Sequence, residues 1–451
     1  MNLVSQRPQP SARRFTSQAV EQTIRDVSAK IGDAELAWMF ENCFPNTLDT
    51  TVEFYRDAQN RPQTHVITGD IDAMWLRDST NQVWPYLPLA HRDPALQDVL
   101  RGVINRQIDC VLYDVYANAF YRTHDHVSEE FKNDHTAMKP GLHERKYELD
   151  SVCSVLRMSC GYFDTTGDAT CFDDRWQSGV ELILKTIRTE QASWNEPPQP
   201  VYLFERVTRT SRDTLDNDGL GNPFRRTGMS RSPFRPSDDA TTFQYLIPAN
   251  AMAVVYLRQL HHMLERLKLA PKIAADALAI ADEIDKAITA HGIITHPKYG
   301  QIYAYEIDGY DSHRFMDDSN VPNLLSLPYL GFCKHDDPLY QATRKFVLSD
   351  DNPYFANGKA AAGLGSEHSG VKWIWPIGLT MQAMTSEDDA EIIQCLRTLK
   401  KTHAGTGFMH EAFDQDNPAR FQRTWFAWAN SLFGELMVKL EREHSNVLKK
   451  A

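Results

Sequence analysis

The stretch at residues 253–267, AVVYLRQLHHMLERL, carries apolar side chains at intervals of three and four residues. That spacing places them along one face of an α-helix. The same period recurs clearly at 152–163 and 425–440. Weaker versions of it occur at 17–42, 77–90, 94–118, 172–188, 272–289, 321–331, 338–348, 371–384 and 388–401. The sequence therefore predicts about twelve helices.

The segments between these helices are long and cover 121–147, 190–245, 291–320, 350–370 and 403–424. Two strand-like patterns within them, at 199–206 and 300–310, predict β-hairpins. No Gly/Ser-rich or Pro-rich linker divides the chain, so residues 16–451 are predicted to form a single domain. Residues 1–15 are polar and contain Pro and Arg, which predicts a disordered tail.

Long helices joined by long loops, without regular alternation of strand and helix, predict an all-α fold of the (α/α) toroid type. In such a toroid an outer ring of helices surrounds an inner ring. The long loops and their small β-hairpins then form a cleft at one end. A pair of helical domains is the alternative that this pattern leaves open.

The composition narrows the classes of partner. The 451 residues carry a formal net charge of −12, which disfavours binding to the phosphate backbone of nucleic acids. No basic cluster is present to hold the chain at an anionic membrane surface. The seven Cys are odd in number and form no CxxC pair, and the N-terminus lacks the apolar core of a signal peptide. We therefore expect a cytoplasmic protein, monomeric or weakly self-associating.

Several common catalytic motifs are missing from the sequence, namely GxxxxGK[ST], GxGxxG, HExxH, GxSxG and the EF-hand loop. Their absence disfavours phosphoryl transfer, hydride transfer, zinc hydrolysis and serine-hydrolase chemistry. We accordingly predict no cofactor.

Six stretches combine carboxylates with Trp, Tyr, His, Arg or Asn where a predicted loop meets a helix. They are ITGDIDAMWLRDS (67–79), GLHERKYELDS (141–151), FRPSDDATTFQYLIPAN (234–250), FMDDSNVPNLLSLPYLG (315–331), GSEHSGVKWIWPIG (365–378) and GFMHEAFDQDNPARFQRTWFAWANSLF (407–433). Aromatic rings offer flat apolar area to the C–H face of a sugar, while carboxylates, Arg and Asn bind its hydroxyl groups. Cleavage of a glycosidic bond also needs two carboxyl groups. The six stretches together predict a carbohydrate-active enzyme.

These residues also have purely structural interpretations. Asp238 and Asp239 are suited to cap a helix that begins near residue 240. Arg77 and Asp78 are suited to a structural ion pair, and Trp373 is more typical of a core than of a sugar platform. Two other functions also stay open. One is another (α/α)-toroid enzyme, such as a glucan hydrolase or a sugar epimerase, and the other is a non-catalytic carbohydrate-binding protein.

The motifs TGDIDAMWLRDSTNQVWPYLPL, ERKYELDS, FRPSDDA, DDSNVPNLLSLPYLG and MHEAF resemble glycoside hydrolase family 125, and the resemblance extends over residues 35–440. It implies an (α/α)6 barrel and an exo-acting α-mannosidase that needs no metal. Such an enzyme removes non-reducing terminal α-1,6-linked mannose, with inversion, from a mannose-containing oligosaccharide or glycan.

The resemblance also implies roles for particular residues. The general acid falls in RPSDD, where Asp238 is favoured over Asp239, and the general base is Glu411 of MHE. An inverting pair is expected to stand roughly 6.5–9.5 Å apart, so that a water fits beside the base. We predict that the terminal mannose is bound by Trp75, Arg77 and Asp78. Further candidates for the same wall are His143, Glu148, Asp150, His368 and Trp373. The long basic stretch 206–232 departs from the family pattern and is a candidate for the leaving-group side.

Overall fold

A computed structural model describes residues 3–195 and 201–450 of the chain. Its α-helices are α1 Gln18–Ser28, α2 Ala34–Cys43, α3 Asn46–Thr50, α4 Leu76–Val83, α5 Pro94–Tyr113, α6 Leu149–Thr166, α7 Asp174–Thr189, α8 Asp216–Gly219, α9 Ile247–Leu267, α10 Pro271–His291, α11 Leu327–Leu330, α12 Pro338–Val347, α13 Pro376–Met384, α14 Asp389–Thr402, α15 Ala427–Glu443 and α16 Ser445–Lys450. Short 3-10 helices cover Pro10–Ala12, Trp84–Arg92 and Ser211–Asp213. The chain is thus mainly helical, as the sequence predicts.

The strands are short and form small antiparallel sheets. They are β1 Val52–Arg56, β2 Pro62–Val66, β3 Met74–Trp75, β4 Ala119–Phe120, β5 Leu142–Glu144, β6 Tyr245–Leu246, β7 Ile293–His296, β8 Gly300–Tyr303, β9 Glu306–Ile307, β10 His313–Arg314, β11 Phe355–Asn357, β12 Ala362–Leu364, β13 Trp373–Ile374, β14 Ala412–Asp414 and β15 Phe421–Gln422. The three-stranded sheets have the orders β3-β4-β5, β10-β9-β6 and β13-β14-β15, and the remaining strands pair as β1-β2, β7-β8 and β11-β12.

The described residues form two compact units, each built from more than one segment of the chain. Unit 1 is drawn from residues 1–72, 78–103 and 348–451, and unit 2 from residues 73–77 and 104–347. The chain passes between them at 72–73, within α4, within α5 and at 347–348, directly after α12. The organisation of residues 16–451 as a single domain remains a prediction, and so does its (α/α)6 toroid fold.

Helix α9 is the central helix of unit 2 and packs against both α6 and α10. Its first eleven residues, 247–257, are buried on every side. After residue 257, the buried side chains of the 253–267 stripe are those of Leu260, Met263 and Leu264. Pro248 stands in the first turn, where its missing N–H costs no helical hydrogen bond. The helix therefore begins at Ile247, and Asp238 and Asp239 do not cap it.

Helix α15 has the corresponding place in unit 1, where it packs against α2, α3 and α13. Its buried side chains include Trp428, Leu432 and Leu436, which belong to the predicted stripe at 425–440. Helices α13 and α14 pack together beside it. The apolar period of the sequence therefore locates the core helices of both units.

Two local predictions need correction, and a third is confirmed in part. The segment at 321–331 is helical only in α11. The described part of the predicted strand at 199–206 makes a single bridge, between Glu205 and His135, while Gln199 and Pro200 lie outside the described residues. The 300–310 pattern is confirmed as strand but splits into β8, which pairs with β7, and β9, which pairs with β6 and β10.

The N-terminal segment differs from the predicted disordered tail over residues 3–15. The Arg7 side chain is 5% exposed and pairs with Glu21 at 2.5 Å and Asp49 at 2.8 Å. The backbone oxygen of Val4 accepts from Trp38 Nε1 at 2.7 Å. The ion pairs of the buried Arg7 and the contact with the buried Trp38 indole hold this segment against unit 1, although its polar composition predicts disorder. None of the described helices combines the length and the apolar character needed to cross a membrane.

Candidate functional site

In unit 2 the Arg77 guanidinium contacts three carboxyl groups. Its Nη1 donates to Glu148 Oε2 at 2.5 Å and to Asp150 Oδ2 at 3.2 Å, and its Nη2 donates to Asp238 Oδ1 at 3.1 Å. Arg77, Glu148 and Asp150 are buried, whereas the Asp238 side chain is 28% exposed. Four of the predicted site residues are therefore in direct contact.

Local structure explains why these side chains meet. Strand β3 leads directly into α4, which puts Arg77 in the first turn of that helix. Glu148 stands immediately before α6 and Asp150 lies in its first turn. Strand β4 joins the two elements, since it pairs with β3 on one side and β5 on the other. The small sheet thus aligns the beginnings of α4 and α6, which brings Arg77 close to Glu148 and Asp150.

Asn118, which the sequence analysis did not single out, links the carboxyl groups to one another. Its Nδ2 lies 2.9 Å from Glu144 Oε2 and 3.4 Å from both Glu148 Oε1 and Asp238 Oδ1. Its Oδ1 accepts from the backbone N–H of Lys146 at 3.1 Å. Asn118 lies at the end of the predicted helical stripe 94–118 and outside every acid-rich stretch, so no sequence signal pointed to it.

Glu144 is neutralised by two cations that do not contact the Arg77 carboxyls. Arg206 Nη2 donates to Glu144 Oε1 at 2.9 Å, and Lys146 Nζ lies 3.3 Å from the same oxygen. Both cations also pair with Asp213, at 2.9 Å and 2.7 Å. Arg206 therefore ties the basic stretch 206–232 to this cluster.

The loop that carries Asp238 is held by a buried ion pair. Arg235 Nε donates to Glu306 Oε1 at 2.6 Å, and both side chains are fully buried. Glu306 Oε2 in turn accepts the backbone N–H groups of Thr242 and Phe243, at 3.0 Å and 3.1 Å. A backbone hydrogen bond of 2.8 Å from Arg235 N to Asp239 O closes the turn around Asp238.

The two neighbouring acids, Asp238 and Asp239, have different environments. Asp238 has a left-handed backbone with φ +65°, which sends its side chain toward Arg77 and Asn118. The Asp239 side chain is 5% exposed and pairs with Arg212 at 3.4 Å. The carboxyl that contacts Arg77 and also reaches solvent is therefore that of Asp238.

Burial raises the proton affinity of the carboxyls beside Arg77. Desolvation raises the pKa of Glu148 well above its usual range. The Arg77 charge opposes this shift, and the neighbouring Asp238, including a hydrogen bond to it, adds to the shift. Desolvation likewise raises the pKa of Asp150 to about 6 against the opposing effect of Arg77. One guanidinium cannot compensate three ionised carboxylates at this depth.

Trp75 and His143 form an aromatic contact next to this cluster. Their ring centroids are 5.1 Å apart in an edge-to-face arrangement. His143 Nδ1 and the Tyr121 hydroxyl are 2.9 Å apart, and burial lowers the pKa of His143. Trp75 is 6% exposed, and its indole Nε1 has no hydrogen-bond partner among residues 3–195 and 201–450. An indole N–H of this kind is available to a ligand hydroxyl.

In unit 1, Glu411 lies directly before β14, and its side chain is 14% exposed. Arg423 Nη1 is 3.7 Å from Glu411 Oε1, and Arg423 Nε is 3.4 Å from Asp70 Oδ2. His410 Nδ1 donates to the Arg423 carbonyl at 2.9 Å, and its ring stacks on Phe421 with centroids 3.9 Å apart. The turn that presents Glu411 is thus fixed on both sides. Arg423, which the sequence analysis did not select, is the cation beside this acid.

The other predicted residues of unit 1 differ in exposure. Asp78 is buried, His368 is exposed and Trp373 is partly exposed. Trp373 belongs to β13 and pairs with Asp414 of β14, three residues after Glu411. Trp375 Nε1 donates to Ser369 Oγ at 3.0 Å, which connects the neighbouring loop to Gln422 of β15 through a 2.8 Å hydrogen bond.

A separate group of possible metal ligands lies on α9. The ligand atoms of His261, His262 and Glu265 are within 4.8 Å of one another. His261 Nδ1 donates to the Ala274 carbonyl at 3.0 Å. These residues lie on the surface of α9, and Glu265 and His262 are exposed.

Comparison with known proteins assigns the chain to a family. The profile of the metal-independent α-mannosidases (GH125) matches residues 33–438. The Meiotically up-regulated gene 157 protein of Schizosaccharomyces pombe is 46% identical over 463 residues, which covers 100% of this chain and 91% of that protein.

Solved structures show the same relationship. A Streptococcus pneumoniae structure from the metal-independent α-mannosidases, in a non-productive complex with α-1,6-mannobiose, is 41% identical with a TM-score of 0.90. That match covers 96% of this chain and 100% of the other. A bacterial glucoamylase complexed with acarbose is only 12% identical, with a TM-score of 0.57 over 95% of this chain and 59% of its own, and shows similarity of fold alone. The chain therefore belongs to glycoside hydrolase family 125, the metal-independent α-mannosidases.

Proposed function

We propose that this protein is an exo-acting α-mannosidase that hydrolyses non-reducing terminal α-1,6-linked mannose with inversion. Membership of the family supports the reaction class, and the 41%-identical relative solved with α-1,6-mannobiose supports the linkage. The proposal includes the (α/α)6 toroid of the family resemblance. The cytoplasmic location and the monomeric or weakly oligomeric state stay predictions.

The observation that carries the proposal is the environment of Asp238. A general acid must hold a proton and must also be able to touch the glycosidic oxygen. Asp238 shares Arg77 with the buried carboxyls of Glu148 and Asp150, and it is the member of this cluster whose side chain reaches solvent, at 28% exposed. Asp239 is 5% exposed and engaged by Arg212, which makes it the weaker candidate.

Glu411 is proposed as the general base that removes a proton from the attacking water. Its carboxylate is partly exposed, and the Arg423 guanidinium, 3.7 Å away, restrains its direction. The Glu411 side chain stays in place because the backbone on either side is fixed by β14 and by the His410 contacts.

Two roles are proposed for other predicted residues. One is direct contact with mannose, and the other is orientation of the acid. Trp75 offers a ring edge and an indole N–H to the sugar. Arg77 is 2% exposed and donates to three carboxyls, so it acts by orienting Asp238. Asp78, His143, His368 and Trp373 stay candidates for sugar contact.

Two measurements test the proposal. Proton NMR of the first product from α-1,6-mannobiose should show β-mannose before mutarotation, and α-mannose would exclude inversion. The α-1,2 and α-1,3 isomers should be cleaved much more slowly, and equal rates on all three would exclude the linkage assignment.

Single substitutions test the assigned acid and base. Asp238→Asn and Glu411→Gln should each lower kcat by about 10²–10⁴-fold, as expected for the loss of a general acid or base. Asp239→Asn is the matched control and should keep most of the activity. If Asp239→Asn is the inactive one of the two neighbouring variants, the acid is Asp239. A Glu411→Gln protein that keeps its function unchanged would indicate a binding protein rather than an enzyme.

A further inference from the structure

The proposed base Glu411 follows a backbone segment that the core of unit 1 holds in place. Met409 stands two residues before Glu411 and is 2% exposed. Its N–H donates to Asn430 Oδ1 at 2.8 Å, and its carbonyl accepts from the backbone N–H of Phe426 at 2.8 Å. Both polar backbone groups of Met409 are therefore bonded to residues at or directly before the beginning of α15.

The amide of Asn430 has its direction fixed at both ends. Only an oxygen can accept the Met409 N–H, so Oδ1 faces Met409 and Nδ2 faces the other way. Nδ2 donates to Asn46 Oδ1 at 3.1 Å, and Asn46 is the first residue of α3. Asn46 is 3% exposed and Asn430 is 0% exposed. Because both ends of its amide are engaged inside the core, Asn430 does not act by contacting a substrate.

The same segment is closely packed at Gly407, four residues before the base. A Cβ at Gly407 would lie 2.6 Å from Trp38 Cη2 and 2.7 Å from Asn42 Nδ2. The backbone at Gly407 thus lies directly against the side chains of α2. Because this end of the segment has little room to move, we expect loss of the Asn430 bond to displace Met409 and the residues that follow it.

We propose, on the basis of the function proposed above, that Asn430 is a positioning residue for Glu411. By accepting the Met409 N–H it fixes the backbone from which the Glu411 carboxylate reaches the attacking water. Without this acceptor the buried Met409 N–H needs another partner, and the backbone beside Glu411 shifts to reach one. Asn430 itself neither gives nor takes a proton. A displacement of about 1 Å in a catalytic group is enough to lower the rate about 10²-fold.

The test compares kcat and KM on α-1,6-mannobiose for wild type, Asn430→Leu and Asn430→Asp. Leu has the branched shape of Asn but no acceptor, so Asn430→Leu should lower kcat by about 10–100-fold. KM should stay unchanged, because the base contacts the water and not the sugar. Asn430→Asp keeps an oxygen for the Met409 N–H, and the Asn46 amide can turn to donate to the second oxygen. It should keep most of the wild-type kcat.

Ser431 provides the matched control, since it is the next residue of α15 and is also 0% exposed. Its Oγ donates to the Gln82 carbonyl at 2.8 Å and lies 3.1 Å from Thr47 Oγ1, so these bonds run to α4 and α3 and not to the segment before Glu411. Ser431→Ala should lower the unfolding midpoint and keep kcat. Similar kcat losses in Ser431→Ala and Asn430→Leu would overturn the proposal, and so would similar losses in Asn430→Leu and Asn430→Asp.

Asn46→Ala tests the same role if Asn430→Leu does not fold. This variant removes the acceptor that orients the Asn430 amide but leaves the amide itself in place. We expect kcat to fall with KM unchanged, by a smaller factor than in Asn430→Leu. A wild-type kcat in Asn46→Ala would contradict the proposed role.

A second substrate assigns the effect to the base. 2,4-Dinitrophenyl α-mannoside has a leaving group that needs no proton, but its hydrolysis still needs an activated water. Asn430→Leu should therefore lose the same factor on this substrate as on mannobiose. A loss confined to mannobiose would connect Asn430 with the acid instead, and the proposal would be wrong.

Glu411→Gln distinguishes the two levels of the argument. If Glu411→Gln loses activity on both substrates while Asn430→Leu behaves like Ser431→Ala, only the role of Asn430 is wrong. If Glu411→Gln keeps wild-type activity, the proposed base itself is wrong and the role of Asn430 falls with it.

Discussion

Replacing Glu306 with Gln removes the carboxylate that neutralises Arg235 in the loop carrying Asp238. Both side chains are fully buried and 2.6 Å apart, so the Arg235 guanidinium would lose this buried counter-charge. Breaking a buried pair in this way costs about 3–5 kcal/mol. Glu306 Oε2 also accepts hydrogen bonds from two backbone N–H groups of the same loop. The neutral amide oxygen of Gln would accept these hydrogen bonds more weakly than a carboxylate does.

We expect unit 2 to unfold as one transition, so its size sets the size of the effect on thermal unfolding. The unit contains about 250 residues, and at about 2.1 cal/mol/K per residue its unfolding entropy is about 0.5 kcal/mol/K. Glu306→Gln should therefore lower the midpoint of that transition by about 6–10 °C. Differential scanning calorimetry measures this directly, and kcat should fall as well because the Asp238 loop loses its anchor.

An exposed ion pair in the same unit provides the control. Arg258 pairs with Asp282 at 3.0 Å, with the side chains 39% and 48% exposed. Asp282→Asn should cost no more than about 1 kcal/mol, which is about 2 °C for this unit. The double variant Arg235→Met/Glu306→Gln should recover part of the loss because it removes the cation together with the carboxylate. Equal midpoints for Glu306→Gln and Asp282→Asn would refute the importance of the buried pair.

Three further predictions concern single sites. The Asp150 carboxyl has a pKa raised from 3.8 to about 6, so its proton favours the folded state at low pH. That contribution is lost as pH rises from about 4 to 6, and the pH dependence of the unfolding midpoint should be shallower in Asp150→Asn over this window. Gly69→Ala should lower the unfolding midpoint more than Gly167→Ala. Both glycines have positive φ, but a Cβ at Gly69 would lie 2.8 Å from the Trp425 ring and one at Gly167 meets nothing within 4 Å. Trp75→Phe should keep the fold and reduce kcat/KM on α-1,6-mannobiose by about tenfold or less, the value of one neutral hydrogen bond, and an unchanged kcat/KM would show that the indole N–H is not used.

Much of the helical framework was predictable from the sequence because helix formation depends on neighbours three and four residues apart. The stripes at 172–188, 272–289 and 388–401 correspond closely to α7, α10 and α14. Short elements were not predicted, since α3, α8 and α16 span six residues or fewer and contain too few turns to show a period. The family could also be recognised from the sequence, because each of its long motifs is one contiguous stretch of the chain.

The relationships between the site residues required the tertiary structure. Arg77 meets Glu148, Asp150 and Asp238 across 71, 73 and 161 positions of the chain, and Asn118 shares two of these partners without belonging to any motif. The sequence alone left Asp238 and Asp239 as alternatives. In the folded chain a left-handed residue at 238 and different neighbours give the two carboxyls different exposure. Apolar periodicity is a short-range property that the sequence encodes locally. Ion pairs and side-chain hydrogen bonds depend on which loops the fold brings within a few ångströms, and no local pattern specifies that.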